Sequence, residues 1–176
     1  MRLITRGDED RFWAVIDEVR QVTGGTYPQA PPATAENLKK ILLAKPDPVV
    51  REFASILHRV MVRLNRWEVW GAGMARNKSM SGAEFYAFRL WIVAKGQDAY
   101  DAIRTKPDAL VNWVKPTEVI LNEGFDDVVG EIIEDRGMND PRDDANESPN
   151  DFPKGKEFKE ADLAKLFPQC WAAGKP

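Results

Sequence analysis

The sequence predicts an all-α fold: a compact single-domain helical bundle of about five to seven helices with an acidic, loop-rich C-terminal region. Three observations carry that prediction. Apolar residues recur at intervals of three and four through most of the chain. Ser, Thr, Asp, Gly and Pro stand where such helices would begin and stop. The one extended-looking run, VKPTEVIL (114–121), has no second strand-like run to pair with. With 176 residues, 43% of them apolar and 30% charged, the chain has enough apolar side chains for one well-buried core.

The first helix is expected to start near Asp8 as N-cap, with acids in its first turn and Phe12, Ile16, Val19 and Thr23 on one face. Gly24 and Gly25 stop it. A proline-rich loop, YPQAPPAT, follows, and Thr34 caps a short helix carrying Leu38, Ile41 and Leu42. In KPDPVV, Asp47 reads as the cap and Pro48 as the first residue of the next helix. That helix is the strongest in the chain, with Phe53, Leu57, Val60, Leu64 and Trp67 on one buried face. His58 points away from this face, as a surface residue, at about 100° of rotation per residue. Arg59, Arg63 and Arg66 form a stripe beside it, read as a solvated flank or as a partner for the acidic C-terminal segment.

In RWEVWGAGMAR (66–76), Trp67 falls on the core stripe, Trp70 lies one turn on, and Gly71 and Gly73 permit close helix approach or a bend. SGAE at Ser81–Glu84 is a capping box. It launches a helix with Phe85, Phe88 and Ile92 on one face, ended at Gly96. Tyr100 and Ile103 mark another helix, stopped by Lys106-Pro107, and PDALVNW adds a further turn. Phe125, Val128, Val129, Ile132 and Ile133 complete the helical pattern. Residues 1–135 are thus read as a helical core and 136–156 as a polar loop or linker. Residues 157–176 form a short helix that docks back, with Phe158, Leu163, Leu166, Phe167 and Trp171 as its apolar contacts.

Several chemistries are excluded by inventory. Cys170 is the single cysteine and His58 the single histidine, so an internal disulfide, a CxxC zinc site and a multi-histidine site are ruled out. An all-carboxylate site for a hard cation stays open. Asp126-Asp127 and Asp143-Asp144 read as hydrated surface pairs, Cys170 as a small packed residue, and no Gly-rich phosphate loop is present. No apolar run approaches the roughly 20 residues of a membrane helix, and MRLITRGDED turns acidic where a secretory leader would continue. A cytoplasmic protein without membrane contact is expected. Net charge is −3, but residues 1–116 carry 18 Lys and Arg against 13 acids, while 117–162 carry 5 against 15. The two regions are expected to face each other within the fold, which makes nucleic acid the weaker partner.

Among polar residues, Arg89 stands out in FYAFRLWIV, because a guanidinium in an apolar helix requires a carboxylate or carbonyls. Asp17 in the first helix is the expected ion-pair partner. The tryptophans of RWEVWG are expected chiefly as core; the alternative raised by six tryptophans is a shallow aromatic pocket, with Trp70 and Trp91 as walls and Arg89 and Glu68 as polar groups.

FWAVIDEVR, RWEVWGAGM, FYAFRLWIVAKGQDAYDAI, the following PDAL and the terminal LAKLFPQCW resemble bacterial domain-of-unknown-function family 4240. The matched positions include Phe12, Trp13, Ile16, Asp17, Trp67, Glu68, Trp70, Gly71, Phe85, Phe88, Arg89, Trp91, Gly96 and Tyr100. The resemblance implies a small, helical, cytoplasmic bacterial domain and brings no activity with it. Where relatives carry Gly-Cys-Ser-Asp-Asp, this chain reads Ser79-Met80-Ser81-Gly82-Ala83, so an acidic pair is missing. The function expected is a non-enzymatic protein-interaction or binding module, with no catalytic or metal-ligating residue and no cofactor. The alternative is a small-ligand-binding protein or enzyme with a pocket between the central helices. Trp70, Glu68, Arg89, Trp91 and Asp17 are the candidate contact residues in either case.

Overall fold

A computed structural model of the chain describes residues 5–174. Helix α1 (Arg6–Thr23) is capped by Thr5, not Asp8. Asp8 is the third helical residue, and its carboxylate accepts the Thr5 backbone N–H at 2.6 Å. The acid closes a capping box from inside the first turn instead of starting the helix. Helix α2 (Ala35–Leu43) begins as the sequence predicts, with the Asn37 amide donating to Thr34 Oγ1 at 3.3 Å. Helix α3 (Asp47–Arg63) starts one residue early, with Pro46 as cap and Asp47 and Pro48 in the first turn.

The larger correction lies at the far end of α3. The stripe through Phe53, Leu57, Val60 and Leu64 is buried, but the helix does not run on to Trp67. Leu64 caps α3, and Arg66 turns extended (φ −134°, ψ 142°) before α4 (Trp67–Asn77) begins. The cause is distant: the Lys154 N–H donates to Asn65 O at 2.9 Å, and the Trp67 N–H donates to Lys154 O at 3.0 Å. Backbone groups that would have continued one helix are satisfied by another part of the chain. No Gly or Pro marks this break.

Helix α5 (Gly82–Ala94) has the capping box as read, with the Ser81 N–H on Glu84 Oε2 at 2.6 Å and the Glu84 N–H on Ser81 Oγ at 3.2 Å. Every residue from Ala87 to Ala94 is buried, so α5 is the central helix and its apolar face is far wider than Phe85, Phe88 and Ile92. Gly96 (φ +99°) turns the chain into α6 (Gln97–Thr105). That left-handed conformation suits glycine, and a Cβ there would lie 2.4 Å from the Arg20 guanidinium. A 3₁₀ turn at Pro107–Asn112 follows, and VKPTEVIL forms no strand.

Helix α7 (Asp127–Asp135) buries Val128, Val129, Ile132 and Ile133 against α2 and α3. The C-terminal stretch makes two very short helices, α8 (Leu163–Leu166) and α9 (Pro168–Ala173), both against α4. These raise the number above the five to seven expected; seven helices of nine residues or more carry the fold. Gly71 and Gly73 serve close approach, since a Cβ would sit 2.5 Å from the Phe167 ring at Gly71 and 2.7 Å from the Phe88 ring at Gly73. The described residues form an all-α fold with no β-strand. None of its helices is long and apolar enough to cross a membrane.

Candidate functional site

The five residues singled out in the sequence do not converge. Trp91 is fully buried, and its indole N–H donates to Glu118 Oε1 at 3.2 Å. Trp70 is half-buried between Trp67 and Phe85, with ring centroids 5.3 and 4.8 Å apart and nearly parallel planes. Its N–H donates to Met80 O at 3.0 Å. Glu68 pairs with Arg66 at 2.5 Å on the rim of α4. Asp17 is 54% exposed and meets Arg20 at 3.5 Å, not Arg89.

Arg89 continues the aromatic column, its guanidinium 4.5 Å from the Phe85 centroid. It takes carbonyls in place of a carboxylate, donating to Pro149 O at 2.8 Å and Met61 O at 3.3 Å. Met61 is in the last turn of α3, where carbonyls lack intrahelical donors, so the guanidinium serves a helix end that sequence alone did not locate. Burial lowers the Arg89 pKa to about 10, which leaves it charged at neutral pH.

Arg89 thereby ties down a strap formed by residues 136–154. The strap leaves α7 at Gly137 (φ +62°), where the Met138 N–H returns to Ile133 O. Arg136 anchors its start on Leu43 O and Lys45 O, both at 2.9 Å. Arg142 pairs with Asp140 at 2.6 Å and reaches Asp126 O. The Asp126 carboxylate accepts the Tyr86 hydroxyl at 2.5 Å, and burial followed by this bond raises the Tyr86 pKa. The Asn65 side chain donates to Asp151 O at 2.7 Å, and Lys154 forms the backbone pair with residues 65–67.

Between this strap and α3 lies an open groove of about 1140 Å³. Its floor is the outer face of α3, where Arg51, Ser55, His58, Arg59, Val62 and Arg63 recur at helical spacing. Met138, Asn139, Pro141, Arg142, Asp144, Ala145, Asn146 and Glu147 form the opposite wall. His58 does point away from the core, as its position on α3 requires, yet the strap half-covers it. Its Nε2 lies 2.7 Å from Glu147 O, and because a carbonyl only accepts, this nitrogen carries the proton.

Charges in the groove are mostly consumed locally. Arg11 bonds both Asp8 and Glu52, Asp47 pairs with Arg136, and Glu147 pairs with Lys154. The arginine stripe finds its acid in α1: Glu9 sits 2.9 Å from Arg63 and 3.6 Å from Arg59, while Arg66 turns to Glu68. The acidic C-terminal segment is not its partner. Arg51 makes no hydrogen bond or ion pair among the described residues.

Buried polar groups elsewhere, Lys95 and Asp108 among them, are not marked by the sequence pattern. Lys95 is fully buried, donating to Ala30 O at 2.6 Å with Glu118 3.6 Å away, and desolvation lowers its pKa. Asp108 accepts the Gln169 and Cys170 amides at 3.2 and 2.9 Å and so fastens α9. Cys170 is fully buried, with a thiol raised well above its ordinary range by burial and by Asp108. Among the described residues no group of three or more His, Cys, Asp and Glu could hold a metal ion.

Residues 8–134 match the family model described as "Protein of unknown function (DUF4240)". The strap and the terminal LAKLFPQCW stretch fall outside the matched residues. No curated protein and no solved structure matches the chain.

Proposed function

The chain belongs to that family of unknown function, and we propose that it acts as a non-enzymatic binding module of the bacterial cytoplasm, holding an extended segment of a protein partner. The groove between α3 and the strap carries this reading. From Arg51 to Arg63 its floor spans twelve residue steps, about 18 Å of helix at 1.5 Å per residue. That is the length of five to six residues of extended polypeptide. The side-chain amides of Asn139 and Asn146 offer donors and acceptors to a peptide backbone, and Val62, Met138 and Ala145 offer apolar contact.

In this reading residues 1–135 supply the core and groove floor, 136–156 the outer wall, and 157–176 a docked segment that steadies α4. Arg89 is a positioning residue, acting through its bond to the strap, and Trp70 stiffens the aromatic column under it. Trp91 belongs to the core, while the half-buried Glu68 and the exposed Asp17 are charges outside the groove. The buried thiol, the carbonyl-bound imidazole and the paired carboxylates favour binding over catalysis.

The reading is tested by selecting a random peptide library on the purified protein, with Ser55→Trp as a counter-selected variant that fills the groove. Enriched peptides that bind the parent and not the folded Ser55→Trp protein are the expected result. Peptides bound equally by both would move the site elsewhere.

A further inference from the structure

We propose that the segment bound in this groove is acidic, with carboxylates four residues apart, one seated on Arg51 and one on Arg59. This rests on the reading of the groove as a peptide site and adds the chemistry of its occupant. The groove is lined by four arginines and five acids, so the raw composition does not decide its sign. Internal pairing does. Asp8 and Glu52 are held by Arg11, Asp47 by Arg136 and Glu147 by Lys154, all from cations outside the lining. Arg142 is satisfied by Asp140, and Arg63 takes the close contact with Glu9.

What remains on the floor is Arg51, with no partner among the described residues, and Arg59, whose one ion pair among them is a long 3.6 Å contact to an acid already serving Arg63. A guanidinium presents a planar fork of donors suited to a carboxylate. Arg51 and Arg59 are eight residues apart on α3, about 12 Å along its axis. Residues i and i+4 of an extended chain share a face and are about 13 Å apart. The two spacings agree, which fixes the register.

The opposite wall selects against a continuous polyanion. Asp144 is exposed there with no ion pair among the described residues, and it would face a phosphate backbone with like charge while leaving room for an intermittently acidic peptide. That wall lies beyond residues 8–134, the span matched by the family model.

The test uses the full chain and fluorescence polarisation with labelled Gly-Ser-Glu-Thr-Val-Thr-Glu-Ser-Gly, its analogue with both Glu replaced by Gln, and its analogue with both replaced by Lys. The Glu peptide is expected to bind at least tenfold more tightly than the Gln peptide, the scale of a charge-assisted hydrogen bond. Arg51→Glu, which breaks no ion pair among the described residues, should abolish that preference and favour the Lys peptide. Equal binding of the Glu and Gln peptides, binding of neither, or a preference that survives Arg51→Glu overturns the inference. So does an oligoribonucleotide that binds more tightly than the Glu peptide in an Arg51-dependent manner at the same salt.

Ser55→Trp separates the two levels. If it blocks binding of peptides that show no acidic preference, the groove stands and its proposed occupant falls. If it leaves all binding intact, the groove itself falls and the inference with it. Ala145→Trp on the exposed strap serves as the blocking variant should Ser55→Trp unfold.

Discussion

Replacing Arg89 with Met tests how the groove is built. Methionine keeps most of the side-chain volume, so the substitution removes hydrogen bonds without opening a large cavity. The strap loses the bond from Arg89 to Pro149 O at 2.8 Å, and the end of α3 loses the weaker bond to Met61 O. A hydrogen bond to a charged group contributes about 1.5–3 kcal/mol. Global stability should fall by less than this, because the variant no longer buries a cation that has no carboxylate partner. Opening of the strap should become easier by nearly the full amount. At about 1.4 kcal/mol per tenfold, the amides of Asp151, Lys154 and Trp67 should exchange with deuterium about 10- to 150-fold faster. These amides report the strap because they are bonded to Ser148 O, Asn65 O and Lys154 O. Hydrogen exchange read by mass spectrometry across residues 143–156 and the segment containing Trp67 would show the change against an unaltered α5. Unchanged exchange in the strap, or equal acceleration everywhere, would refute the role given to Arg89.

Other consequences follow from the packing and the buried ionisable groups. Gly71→Ala places a Cβ about 2.5 Å from the Phe167 ring; a net cost of about 1–3 kcal/mol is expected from overpacking, and a raised Tm would contradict the close approach of α4 to the C-terminal helices. The Tyr100 hydroxyl, raised by burial to about 12 in the fold, ionises near 10 when unfolded. Its contribution is therefore complete below pH 10 and is lost as pH rises through 12, with Tyr86 and Cys170 shifted in the same direction. Urea unfolding at pH 8, 10 and 11 should show that decline, and Tyr100→Phe should flatten part of it. Cys170 should react slowly with a thiol-specific disulfide reagent until denaturant is added; immediate stoichiometric labelling would place it at the surface. Thr34→Ala should cost about 1 kcal/mol through the lost cap on α2, measured by thermal unfolding.

What was legible in the sequence was what neighbours in the chain decide. Thr34, Ser81 with Glu84, and Gly96 announce their helix ends because the groups they satisfy lie within four residues. Aromatic motifs announced the family because side chains such as Trp91 and Phe88 have no freedom in a fully packed core. The break at Leu64–Arg66 was hidden because its backbone partner is Lys154, and the groove was hidden for the same reason. His58 was correctly turned from the core, but only the strap decides whether that side faces water or a binding surface. Arg89 was recognised as a cation needing partners; that carbonyls of a helix end and of a distant loop would answer, and not Asp17, depended on where α3 stopped.

The central claim is that the face of α3 beneath the strap is where this protein meets its partner. The most direct measurement is a two-dimensional ¹H–¹⁵N nuclear magnetic resonance titration of the full chain with a library-selected peptide. Saturable shifts confined to residues 51–63 and 137–147 are predicted, with Trp70 and its neighbours undisturbed. Shifts centred on Trp70, Phe152 or the α8–α9 surface, with the groove unchanged, would contradict it.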